Sequence, residues 1–287
     1  MPVTEALNTP WFFLTTATVL GLVVGSFLNV VIYRLPRMME QAWHRECCEF
    51  LEQPAPTDPP LTLALPNSCC RSCGAAIKPW HNIPVVSYLT LGGKCANCHA
   101  AISLRYPIVE LTTGLLLLAA ALSFGASWEL VGALVLIGSL VALTGIDIDT
   151  QLLPDSITLP LLWFGLLFNL FGVFTDLTSA VVGAMLGYLS LWSVYWLFKL
   201  ITGKEGMGYG DFKLLAALGA WFGWQALPLI IILSSFVGAA LGIALVVIKR
   251  QGRDVPMPFG PYLAGAGLLC LFYGDYLTQR YSEWVGL

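Results

Sequence analysis

Gly206-Met207-Gly208-Tyr209-Gly210-Asp211-Phe212-Lys213 decides how this chain is read. Glycines at alternate positions lead into a carboxylate, and an uncharged run from 214 to 248 follows. A second acidic stretch, Gly145-Ile146-Asp147-Ile148-Asp149, closes the uncharged run 130–146. A carboxyl at the edge of hydrocarbon is costly, so it is paired, solvated in a cavity or functional. The glycines let the backbone ahead of Asp211 pass close to another helix or to an extended peptide.

Working outward, the composition sets the solvent. The chain has 287 residues, of which 57% are apolar and 11% charged, with a mean hydropathy of +0.77. Soluble domains carry about 25% charged residues, so these values indicate a polytopic membrane protein. A net charge of −3 gives no support for nucleic-acid binding. The first ten residues lack Lys and Arg, and run 6–33 exceeds a signal-peptide core, which predicts a retained transmembrane helix.

The uncharged runs 6–33, 111–128, 130–146, 156–175, 177–198 and 255–274 each suit the ~20 residues a crossing needs. Run 214–248 is too long for one crossing, and Trp221-Phe222-Gly223-Trp224-Gln225 followed by Pro228 divides it. The expected fold is therefore all-α, with about eight transmembrane helices and a polar loop domain between the first two. Positive charge supports that arrangement. If the polar stretch from Arg34 to Arg105 is cytoplasmic, Lys199, Lys204 and Lys213 share its side, as do Lys249, Arg250 and Arg253. Only Arg280 falls outside. Both termini then face outward, and Asp147 and Asp211 share the cytoplasmic face.

Two close carboxyls in low dielectric cannot both ionise easily, so one keeps its proton. Such a pair polarises a peptide carbonyl with one member while the other takes a proton from water. The plainer reading is helix-end acids that reach for interfacial water or cap the next helix. Asp149 and Asp155 suit it, and Asp155 ahead of Ser156-Ile157-Thr158-Leu159 has the pattern of an N-cap. Asp147 and Asp149 point to different helix faces, and Asp147 lies deeper in the apolar run.

Cys70-Arg71-Ser72-Cys73 and Cys95-Ala96-Asn97-Cys98 are two CxxC knuckles, the pattern of a four-thiolate zinc site. Four thiolates leave no open coordination position, so the expected Zn2+ is structural. Cys69 and His99 abut these ligands, while Cys47, Cys48 and Cys270 read as plain thiols. Glu110 either pairs with Arg105, orients a substrate or reaches for interfacial water. Gly21-Leu22-Val23-Val24-Gly25 is a small-xxx-small packing face, and residues 53–60 read as a surface loop.

Taken together, Gly25-Ser26-Phe27-Leu28-Asn29-Val30-Val31-Ile32-Tyr33-Arg34-Leu35-Pro36, both CxxC pairs, Asp147 with Leu153-Pro154-Asp155, and Gly208-Tyr209-Gly210-Asp211 resemble the bacterial type IV prepilin peptidases. The resemblance covers nearly the whole chain. It implies a GxGD-type intramembrane aspartyl protease of the bacterial inner membrane, with Asp147 and Asp211 catalytic and Cys70, Cys73, Cys95 and Cys98 holding zinc. It further implies cleavage of the leader from prepilins and type II secretion pseudopilins on the cytoplasmic side. N-methylation of the new N-terminal residue from S-adenosylmethionine comes from the resemblance alone. The implied organisation is a first transmembrane helix over 1–34, a cytoplasmic zinc-binding domain over 35–104 and a transmembrane protease core over 105–287. Partners are the pilin substrates and membrane lipid, with a homodimer left open. A membrane thiol oxidoreductase using the CxxC pairs is the alternative; it requires disulfides outside the cytoplasm and gives the two acids no role. A proton-coupled transporter would show pseudo-repeated halves, and none is visible.

Overall fold

The structure, a computed structural model, describes residues 10–54, 61–249 and 258–285. Most of loop 53–60, together with Arg250 and Arg253, lies outside the described residues. Nearly all regular structure among the described residues is helical: α1 (Pro10–Phe50), α2 (Val86–Thr90), α3 (Arg105–Phe124), α4 (Trp128–Thr150), α5 (Asp155–Leu170), α6 (Leu177–Thr202), α7 (Tyr209–Phe222), α8 (Leu227–Lys249) and α9 (Gly260–Val285). Isolated bridges Cys69–Ala76 and Lys94–Ala101 are the β-type pairings among these residues.

Among the described residues, five helices are long and apolar enough to cross a membrane: α1, α3, α4, α6 and the stretch Trp224–Ala244 that includes most of α8. Asp155–Leu170 and Gly260–Gly274 are apolar but shorter. The run 214–248 is divided as its aromatic turn implies. Gly223 takes φ +80, a single 3-10 turn spans Trp224–Ala226, and Pro228 falls in the first turn of α8. There its missing N–H costs nothing.

The chain forms two compact units, Met1–Leu122 and Ser123–Leu287. In the first, α1 meets α3 along the small-residue face. A Cβ on Gly21 would lie 2.8 Å from Gly114 Cα, and one on Gly25 would lie 2.7 Å from Glu110 Cα. The uncharged run ends at Tyr33, but α1 continues through Pro36 to Phe50. Arg34 does not end the helix because its charge is satisfied in place. Its guanidinium is buried and donates to the carbonyls of Thr62, Leu63 and Pro66 at 3.0, 3.2 and 2.6 Å.

The second unit is built around α7. Phe212 and every residue from Leu214 to Trp221 are buried, against α5, α6 and α9. Fourteen residues make about 21 Å of helix, short of the ~30 Å hydrocarbon core. Close approach to α6 depends on glycine: a Cβ on Gly187 would stand 2.6 Å from the Leu215 carbonyl oxygen. The far end of α7 is tied by Asn169 of α5. Its Nδ2 donates to the Ala220 and Trp221 carbonyls at 2.8 and 2.9 Å, and its Oδ1 accepts the Phe174 and Thr175 N–H groups. Those bonds satisfy carbonyls that a helix end leaves open.

Candidate active site and metal centre

The second unit brings Asp147 and Asp211 together. Asp147 sits one turn before the end of α4, which closes with Gln151 in the left-handed region and its N–H on the Asp147 carbonyl. Asp211 lies in the first turn of α7, behind an extended Gly208. The side chains are 4% and 7% exposed, and the carboxyls are close enough for the charge of one to act on the other. Asp149, two residues on, is exposed. The helix periodicity that separates 147 from 149 thus appears as one buried and one surface acid.

Two glycines lie beside the acids. Gly260, the first residue of α9, donates its N–H to Asp147 Oδ2 at 2.9 Å. A Cβ at 260 would lie 2.7 Å from that oxygen, so glycine lets the backbone reach the carboxylate. A Cβ on Gly208 would meet nothing closer than Asp211 Oδ2 at 3.6 Å, leaving open space beside the carboxyl. The loop before Gly208 is held by Lys199, which donates to Glu205 Oε1 at 2.8 Å and to the Tyr195 hydroxyl at 3.3 Å. The Tyr195 ring in turn packs on Tyr209 and Phe212.

Asp155 is not the N-cap its setting suggests. Pro154 takes that position with an extended backbone and makes no side-chain cap bond. Asp155, now inside the first turn, instead pairs with Lys213 of α7, whose Nζ donates to both carboxylate oxygens at 2.7 Å.

In the first unit the four knuckle thiols converge. The sulfurs of Cys70, Cys73, Cys95 and Cys98 lie within 4.8 Å of one another, with Cys70 and Cys98 at 3.8 Å. Four Zn–S bonds of ~2.3 Å in a tetrahedron place sulfurs about 3.8 Å apart, so the cluster fits a metal ion of that kind. Each knuckle folds the same way. Cys70 N–H bonds the Ala75 carbonyl and Cys95 N–H the Ala100 carbonyl, while Ile77 and Ile102 donate back to Ser68 and Gly93. Gly74 and His99 occupy the matching left-handed positions, at φ +70 and +56. His99 therefore serves as a turn residue, and neither it nor Cys69 joins the cluster.

Unequal thiol acidities follow from this crowding. The Ala75 N–H and the Asn97 amide draw the Cys73 thiol down to about 6. The N–H groups of Cys98 and Asn97 lower Cys95 as well. Cys98 also accepts the Ala100 N–H, yet the sulfurs of Cys73, Cys95 and Cys70 push it up to about 11. Four adjacent sulfurs cannot all carry charge without a cation among them. The first knuckle is seated on α1, with the Arg71 guanidinium 3.6 Å from the Tyr33 ring centre.

Glu110 is buried, and its Oε2 accepts the Val85 N–H at 2.7 Å. A carboxylate engaged this way does not reach for interfacial water. Val85 itself takes φ +61, a region unfavourable to a branched side chain.

Comparison with known proteins now bears on these two sites. A model described as the bacterial peptidase A24 N-terminal domain matches residues 19–124, which hold the knuckles. The type IV leader peptidase family model matches residues 134–243, which hold both buried acids. The prepilin leader peptidase/N-methyltransferase of Pseudomonas aeruginosa is 55% identical over 288 residues, covering 100% of this chain and 99% of the relative. This chain belongs to the type IV leader peptidase family. Relatives of the same name from Aeromonas hydrophila and Burkholderia pseudomallei are 54% and 49% identical, over 95% and 91% of the chain and 94% and 85% of their own lengths. No solved structure matches it. Within the leader-peptidase segment fall Asp147, Leu153, Asp155, Gly210, Asp211 and Lys213, but Gly260 lies beyond its end. Sequence reasoning missed Gly260, since a backbone donor carries no side-chain signature. The one hint was the dense Pro258-Phe259-Gly260-Pro261 at a helix start.

Proposed function

We propose that this chain cleaves the leader peptide from type IV prepilins and type II secretion pseudopilins, then methylates the exposed N-terminal residue. The observation that carries the proteolytic half is the pair of buried carboxyls, Asp147 and Asp211, brought from separate helices into electrostatic reach. The family and the names of its relatives carry the methylation. With the pair sharing one proton, the ionised member takes a proton from water. The water oxygen then bonds to the scissile carbonyl carbon while the protonated member hydrogen-bonds the carbonyl oxygen. Collapse of the tetrahedral intermediate breaks the C–N bond, and the proton passes to the leaving amine. Gly260 N–H, bonded to Asp147 Oδ2, holds that carboxyl in place.

The family implies a bacterial inner-membrane location, and the charge distribution favours the acids at the cytoplasmic face with both termini periplasmic. Cys70, Cys73, Cys95 and Cys98 hold a structural Zn2+ in this reading. All four sulfurs are needed to complete its coordination, so the metal activates no water. The methyl group comes from S-adenosylmethionine. Joining sulfurs from both knuckles also argues against the oxidoreductase alternative, in which each CxxC pair works as a dithiol.

The test is cleavage of a purified prepilin by the full chain in detergent, with mass readout of leader loss and methyl gain. Asp147→Asn and Asp211→Asn should each abolish cleavage, because an amide keeps the shape but takes no proton from water. The double variant should be scarcely worse than either single, since the pair acts as a unit. Near wild-type cleavage by Asp211→Asn would end this reading.

A further inference from the structure

Leu153 lies between the elements that carry the two acids, and nothing in the chemistry above assigns it a task. Its Cδ2 stands 3.0 Å from where a Gly260 Cβ would be, against the glycine whose N–H holds Asp147. Its Cβ stands 2.6 Å from the position of a Gly210 Cβ, against the residue that precedes Asp211. One apolar side chain therefore touches the start of α9 and the start of α7 together. Both contact residues are glycines, so the side chain meets backbone, which yields far less than a neighbouring side chain. The segment bearing Leu153 is itself fixed at either end. Gln151 N–H bonds the Asp147 carbonyl, and Asp155 is gripped by Lys213 two residues beyond Asp211.

We propose that Leu153 is a positioning residue: a wedge, seated by the Asp155–Lys213 ion pair, that sets the separation and orientation of Asp147 and Asp211. The wedge carries no group that can exchange a proton. It acts by fixing Gly260, and through it Asp147, at one distance from the first turn of α7. Proton sharing between two carboxyls depends steeply on that distance, and small misplacements of reacting groups are costly in rate. The geometry also explains the two glycines. A side chain at 210 or 260 would push the wedge aside and move one acid relative to the other. Asp155–Lys213 is partly exposed, at 28% for Lys213 and 54% for Asp155, so it contributes little to global stability and its value lies in placement.

This proposal rests on the dyad reading, and the experiment separates the two. Prepilin cleavage by Leu153→Ala, Leu153→Met and Lys213→Gln would be followed at varied substrate concentration, with rates normalised to folded protein. Asp211→Asn serves in parallel as the control on the dyad. Leu153→Ala should lose at least about tenfold in kcat with KM held within about twofold. Leu153→Met, similar in volume, should recover most of the loss. Lys213→Gln, a change in a part-exposed pair that contributes little to global stability, should lower kcat at unchanged KM and covers the case in which Leu153→Ala fails to fold. Wild-type kcat in folded Leu153→Ala or in Lys213→Gln, beside an inactive Asp211→Asn, overturns the wedge and leaves the dyad standing. A loss confined to KM, or to the yield of folded protein, also overturns it. An active Asp211→Asn would remove the dyad itself.

Discussion

Asn169 illustrates how one buried amide can fix two elements. Both of its donors and its acceptor are engaged, closing the end of α7 on one side and the turn at Phe174 and Thr175 on the other. Replacing it with Ala removes the partner of the buried Ala220 and Trp221 carbonyls and of the half-buried Phe174 and Thr175 N–H groups. Asn169→Ala should therefore cost at least about 2 kcal/mol, read as denaturant unfolding in detergent. Asn169→Asp should fare no better. It keeps an acceptor for the two N–H groups but sets its other oxygen against the Ala220 and Trp221 carbonyls. An aspartate variant of wild-type stability would show that the contacts to α7 carry nothing. Near Asp147 the same scale shows what could be read in advance. Asp147 and Asp149 were separable from helix periodicity alone. Gly260 and Leu153 were not, because their importance lies in contacts between distant stretches of chain.

At the scale of elements, local chemistry was legible where it was self-contained. The CxxC spacing pointed to a four-sulfur cluster, and Cys-x-x-Cys-x-Ala-Ala-Ile occurs twice, at 70–77 and 95–102, as the matching hydrogen bonds of the knuckles require. Extents were less legible. Arg34 looked like the end of a span, yet three carbonyls take its charge and α1 runs on. Asp155 looked like a cap, yet Pro154 already held the extended turn. In each case a partner remote in sequence displaced the local preference. The knuckles carry their own prediction. Purified protein should contain one zinc per chain, and a Cys73→Ser/Cys98→Ser variant should lose it. Protease cuts between 61 and 104 should then appear ahead of any change in the helices, because a tetrathiolate site contributes folding free energy to its own loop. Undiminished zinc in that variant would remove these residues as ligands.

The whole molecule divides into two compact units, and the two proposed reactions make different demands on them. Peptide hydrolysis needs water deprotonated beside a polarised carbonyl, which is the work of the carboxyl pair in residues 123–287. Methyl transfer needs a neutral amine aimed at an electrophilic methyl group, with no water activated and no carbonyl polarised. The reactions should therefore come apart under mutation even though one chain performs both. Supplied with a prepilin whose leader is already removed, Asp147→Asn and Asp211→Asn should still add a methyl group, while neither removes a leader. Mass spectrometry of cut and uncut substrate, from the same enzyme preparation, reads both outcomes. Retained methylation would also show that the cleavage-dead variants are folded. If both variants lose methylation of the cut substrate while keeping wild-type stability and zinc, the carboxyls serve the amine as well as the water. A single shared centre would then have to replace the division of labour proposed for this chain.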